Sequence, residues 1–272
     1  MLALTSAVFY GLGDFVGGFM TRRHPVWMVL AWSQLLGVVV LGVGLMIVPA
    51  ERVTVADMLW GTLAGTVGIV GFAVLLSALA AGSMAIVAPV SGATAAAVPV
   101  IVDLAQGADL ASREWFGVLL ALTAVVLVGS DRGSRAVDLR IVGRAVLAGV
   151  AFGMTFVALG QTAPESALWP LVGARTATIV VSFAAALATR ALVRPPVQVL
   201  GILGLMGFLD MTANVTVALA LQRGPLGINS VLSSLYPAFT ALAAIAILRE
   251  RPSGQESAGI GLAMAAIVAL AI

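Results

Sequence analysis

Charges and turn residues cut this chain into ten apolar pieces, each of about the length that crosses a lipid bilayer. A spanning helix needs about 20 mostly apolar residues. The first five pieces run roughly over 2–20, 25–48, 57–80, 84–104 and 114–129, and the second five over 141–161, 167–189, 197–222, 225–248 and 255–272. A polar connector, SDRGSRAVDLR at 130–140, separates the two sets. Composition agrees with this reading. The chain is 61% hydrophobic and 10% charged with a mean hydropathy of +1.13, whereas soluble domains carry about 45–50% apolar and about 25% charged residues. Barrel strands would alternate over about ten residues, and these runs are longer and do not alternate. The expected fold class is an all-α integral membrane protein with ten transmembrane helices. The first apolar stretch begins at Leu2 with no basic residue before it, which predicts a spanning helix rather than a cleaved signal peptide.

The missing residue types exclude whole chemistries. Without cysteine there is no disulfide framework, thiolate metal site or cysteine nucleophile. The single histidine, His24, falls in a loop, so zincin and histidine-based triad arrangements lack their parts. No P-loop is present for direct use of ATP. Accordingly no cofactor, no metal and no enzymatic activity are expected. All fourteen basic residues are arginine and the net charge is only +2, so no nucleic-acid partner is expected. A channel would show rings of like charge or a repeated filter, and neither is visible.

The chain also repeats itself. At a shift of 142 residues Gly11 falls on Gly153, Trp27 on Trp169, Gly65 on Gly207, Gly82 on Gly224, Ser91 on Ser233, Glu114 on Glu256 and Gly117 on Gly259. The expected organisation is a first repeat at 1–129, a connector at 130–140 and a second repeat at 141–272. Five helices is an odd number, so the second copy enters the membrane from the opposite side. Inverted repeats of this kind are common in secondary transporters, whose substrate site lies near the midplane between the halves.

The stretch NSVLSSLYPAFTALAAIAILRERPSGQESAGIGLAMAAIVAL, residues 229–270, resembles the C-terminal end of EamA-type transporters of the drug/metabolite transporter superfamily. Pro237, Glu250 and Gly259 match that family's spacing; in the first half Ala95 and Ala108 stand where its proline and glutamate belong. YGLGDFVGGFMTRR is similar to the first helix of the related small multidrug resistance proteins, with Asp14 eight residues before Arg22. The resemblance implies a permease or exporter for small metabolites, with a central cavity lined by the first, third, fourth, sixth, eighth and ninth helices.

An ionisable side chain at the bilayer centre costs about 2.5–3.5 kcal/mol on insertion scales, so it normally faces a cavity or a partner. Asp14, Arg175 and Asp210 lie at that depth. Ser6, Tyr10 and Asp14 recur every four residues and share a helix face. A buried carboxylate resists ionising, so Asp14 is suited to trading a proton for substrate, or else it makes a structural contact. Asp210 and Asn214 share a face one turn apart. Arg175 either pairs with Asp210 as a clamp or faces the cavity to hold a substrate carboxylate. The ninth segment offers Asn229, Ser233, Tyr236, Pro237 and Thr240, and the fourth offers Pro89, Ser91, Thr94 and Pro99; small hydroxyl residues also serve as ordinary helix-packing contacts. Asp57, Asp103, Glu114 and Glu256 lie near segment ends, where solvation at the interface is expected.

The expected partners are a small-molecule substrate and the lipid bilayer, and a homodimer is allowed rather than required. The expected location is the cell membrane as a multi-pass protein, the inner membrane of a bacterium. Ten segments put both termini on one side, with Arg52, Arg113 and Arg223; the other side holds ten arginines. The positive-inside rule therefore places the termini outside, whereas the family resemblance implies cytoplasmic termini. Secondary active transport leads, as an exporter of a small metabolite or drug-like solute coupled to protons through Asp14; an uncoupled facilitator, exchanger or uptake permease is the alternative, and an intramembrane enzyme or sensor the remote one.

Overall fold

The computed structural model describes residues 1–82, 84–105, 112, 115–117, 119–120, 123, 138–223, 233, 235–249 and 254–269. Among these residues the chain is all helix with connecting turns, and no strand forms. In chain order the helices are α1 (Leu2–Thr21), α2 (Val26–Ile47), α3 (Val55–Ala81), α4 (Met84–Ala105), α5 (Leu139–Gly160), α6 (Trp169–Ala188), α7 (Val197–Arg223), α8 (Tyr236–Leu248) and α9 (Gly254–Ala269). A 3-10 turn, Pro164–Ser166, lies between α5 and α6. The expected segments and these helices agree to within a few residues, except that most of 114–129 and the stretch 225–232 lie outside the described residues. Six helices, α1, α2, α3, α5, α6 and α7, are long and apolar enough to cross a membrane, while α4, α8 and α9 hold shorter apolar runs.

Helix ends follow from local chemistry. Thr54 and Asp57 open α3 with a reciprocal capping box, which satisfies amides that have no partner inside the helix. Asp138 caps α5 by accepting from the Arg140 amide at 2.8 Å. Proline stands at the first turn of α6 and of α8, where its missing N–H costs nothing. Two prolines, Pro89 and Pro99, sit inside α4. Arg249 ends α8 in the left-handed region at φ 55°.

Polarity runs from inside outwards in the reverse of a soluble protein. Val39, Met46, Ile47, Leu59, Leu187, Val197 and Ile247 are each more than 60% exposed, while Asp14, Gln34, Arg175, Asp210, Ser6 and Thr240 are buried. In water that apolar exterior would drive aggregation; in a bilayer it is the lipid-facing surface. The chain is a multi-pass membrane protein.

The two halves interleave. The main contacts between them are α1 with α7 and α3 with α5, α2 with α7 and α3 with α6, α1 with α8 and α4 with α5, then α2 with α6 and α4 with α8. Each of these interfaces turns into itself or another member of the set when a helix is exchanged for the one 142 residues away. The exchange also holds at atomic contacts. A Cβ on Gly11 would collide with the Tyr236 carbonyl and Phe239, and one on Gly153 with the Ala95 carbonyl and Val98. Gly65 lies against the backbone of Ala174, and Gly207 against the Ser33 carbonyl. These glycines are required because neighbouring backbones approach too closely for any side chain.

Candidate functional site

Helices α1, α2, α3, α5, α6, α7 and α8 surround a central cavity. Its lining is largely apolar and aromatic, with Phe72, Phe152 and Phe156 beside Tyr10 and Tyr236. The two tyrosine rings meet edge to face at 6.0 Å. Five charged or amide side chains border the same space: Asp14, Gln34, Arg175, Asp210 and Asn214. A mostly apolar hollow with a few convergent polar groups is the usual form of a small-molecule site. The described lining departs from the resemblance in two respects. Residues of α2 and α6 contribute, and none from α4 does.

Four of the polar groups form a closed network. Arg175 Nη2 donates to Asp210 Oδ2 at 2.9 Å, and Nη1 donates to Gln34 Oε1. Gln34 Nε2 reaches Asp210 Oδ2 at 3.4 Å. Asn214 Nδ2 donates to Asp210 Oδ1 at 3.2 Å and to the Asp210 carbonyl at 2.8 Å. Arg175 therefore pairs with Asp210 and also borders the cavity. A buried ion pair repays its desolvation only when further hydrogen bonds satisfy it, and Gln34 and Asn214 supply them. Gln34 was not singled out from the sequence, because an uncharged amide in an apolar helix carries no strong signal of depth or direction.

Asp14 differs. It is 5% exposed and lines the cavity, yet among the described residues no hydrogen bond or ion pair reaches its carboxylate. It lies within electrostatic reach of Asp210 and of both tyrosines. Gly17 and Gly18, one turn on, admit the side chains of Leu76, Met206 and Leu79 and close the bundle below it.

Other expected residues fall elsewhere. Ser6 shares the α1 face of Tyr10 and Asp14 but not the cavity: its hydroxyl donates to the Ala3 carbonyl at 2.7 Å and lies 2.9 Å from Ser233 Oγ. Ser6 and Ser233 thus meet in a contact between buried helix faces. Periodicity fixes which face a residue occupies, and the cavity spans only part of that face. Thr240 likewise bonds the Gly11 carbonyl at 3.0 Å. Ser91 Oγ and Tyr236 Oη are buried close to one another. Asn229 and Glu250 lie outside the described residues, as do the side chains of Asp103, Glu114 and Glu256. Asp57 is corrected from a solvated interfacial acid to a buried one, 3% exposed, because the Ala163 amide from the other half donates to it at 2.8 Å. Among the described residues no group of three His, Asp or Glu converges to hold a metal.

An apolar exterior, a helical bundle in two matching halves and a central hollow with buried charge define a polytopic membrane protein of the transporter type. The EamA-like transporter family model matches residues 1–130 and again 140–272. The chain belongs to that family, and as a member it is a membrane protein of a family that transports small solutes. Fourteen chains of solved structures match it in three dimensions. One, described as the crystal structure of a protein, superposes with a TM-score of 0.67 at 17% identity, over 98% of this chain and 94% of its own. That likeness concerns the fold. No curated protein matches the sequence.

Proposed function

We propose that this chain is a secondary active transporter, an exporter of a small metabolite or drug-like solute, with Asp14 as its proton-coupling group. The observation that carries the proposal is the contrast within one cavity: Asp210 is compensated by Arg175, while Asp14 is buried at the same wall with no hydrogen-bond or ion-pair partner among the described residues. A carboxylate in that position gains most from binding a proton, and loses that gain when water or solute reaches it. Each proton moved down about 100 mV contributes about 2.3 kcal/mol to concentrating a solute. Tyr10 and Tyr236 present aromatic faces to the solute, and Arg175 and Asn214 present its polar rim.

The architecture behind this reading is a pair of inverted five-helix repeats, 1–129 and 141–272, joined at 130–140, with ten spans in all. It is supported by the odd number of segments per half and by the exchange of helix contacts under the 142-residue shift. The arginine asymmetry favours termini outside the cell membrane, a bacterial inner membrane in this reading.

The test is proton-driven accumulation in proteoliposomes, after a thermal-shift screen of amino acids, sugars and cationic drugs has identified a ligand. Asp14→Asn is expected to bind that ligand and to exchange it down a gradient, but to lose accumulation driven by a proton gradient. Its ligand affinity is also expected to lose the pH dependence of the wild type. Wild-type accumulation by Asp14→Asn would instead show that Asp14 is a structural contact between packed helices and not the coupling group.

A further inference from the structure

One end of the cavity is fastened, and the fastening breaks the symmetry of the two halves. Leu159 on α5 and Leu171 on α6 both line the cavity, and the segment 161–168 that joins them is held to the loop before α3. Asp57 Oδ1 accepts from the Ala163 amide at 2.8 Å, while Oδ2 accepts from the Thr54 amide at 2.9 Å and the Thr54 hydroxyl at 2.6 Å. Beside them the Glu51 and Arg52 amides both donate to the Glu165 carbonyl, at 3.0 and 3.2 Å. The same segment turns through Ala167 at φ 48°, a conformation that an alanine enters at a cost, so the fastening holds a strained connection in place.

The positions 142 residues away cannot build an equivalent. Thr54 corresponds to Pro196 and Asp57 to Val199, which offer no hydroxyl, no carboxylate and, in proline, no amide hydrogen. Ala163 corresponds to Thr21, which lies within α1.

We propose that Asp57 is a one-sided gate residue. Its carboxylate closes the cavity at the end where the α2–α3 loop meets the α5–α6 connection, and it makes that closure the resting state of an otherwise pseudo-symmetric carrier. The proposal rests on the transport reading, since it assigns one stage of that cycle. For solute to pass this end, Ala163 must leave the Asp57 carboxylate, and among the described residues the counterpart position, Val199, carries no acid.

The chain has no cysteine, so single-cysteine reporters read each end directly. Leu159→Cys reports on the fastened end, and Thr178→Cys, further along α6 on the cavity wall, reports from the other. Adding Asp57→Ala is expected to speed labelling of Leu159→Cys by a membrane-impermeant maleimide, applied at the fastened end of oriented proteoliposomes, about tenfold. Labelling of Thr178→Cys from the opposite side is expected to fall by a comparable factor. Thr54→Ala, which removes the hydroxyl that bonds and orients the Asp57 carboxylate at 2.6 Å, is expected to give a smaller effect of the same sign on both reporters and decides the matter if Asp57→Ala does not fold. Unchanged labelling at Leu159→Cys in a folded variant overturns the proposal. So does faster labelling there without slower labelling at Thr178→Cys, which would mean local fraying. Labelling needs no solute, so a wild type that moves nothing would end the transport reading while the reporters still judge the gate.

Discussion

Asp210 and Asp14 are two buried acids on one cavity wall, and they are handled in opposite ways. Asp210 on α7 is held by Arg175 from α6, by Gln34 from α2 and by Asn214 one turn along its own helix. Asp14 on α1 has none of these. Depth in the membrane therefore does not separate the two acids. The separation comes from whether neighbouring helices bring donors to the carboxylate. A satisfied acid ties three helices together, and an unsatisfied one is stable only while something else, such as a proton, neutralises it.

This comparison is broken or sharpened by four substitutions. Arg175→Met strands the Asp210 carboxylate and is expected to cost about 3–5 kcal/mol, read as a large drop in thermal unfolding temperature in detergent. Adding Asp210→Asn to Arg175→Met is expected to recover most of the loss; a double variant no better than the single would show that the pair is not coupled. Gln34→Leu removes the amide between them and is expected to cost about 1–3 kcal/mol, with less effect when Arg175 and Asp210 are already neutralised. Asp14→Asn is expected to change stability least, by under about 1 kcal/mol, while removing proton-driven accumulation. If Asp14→Asn destabilises as much as Arg175→Met, the two acids are alike and Asp14 is a packing contact.

The sequence showed the helices clearly because a membrane demands about twenty apolar residues per crossing and arginines mark the breaks. It also showed the deep charges, since each is a costly exception in an apolar run. Contacts between distant segments were less legible. Gln34 meets Arg175 across 141 residues, and Asp57 meets Ala163 across 106; neither meeting leaves a local pattern. Ser6 was grouped with Asp14 because both follow the four-residue period, but the period does not report where along a face the neighbouring helix stands off to leave a cavity. Asp57 looked like an ordinary helix-opening acid, which it is. Its second bond, to the other half, is what buries it.

The lengths of α3 and α7 carry one more consequence. Each has 27 residues where α1, α2, α4, α5 and α6 have 20 to 22, and the two are counterparts under the 142-residue shift. At 1.5 Å per residue they are about 40 Å long, against a hydrocarbon layer of about 30 Å. Both must lean from the bilayer normal or project beyond the acyl chains. Lipids with shorter acyl chains make that lean steeper and longer ones relax it. Because α3 begins at the Asp57 fastening and α7 carries the Asp210 network, bilayer thickness becomes a mechanical input to both.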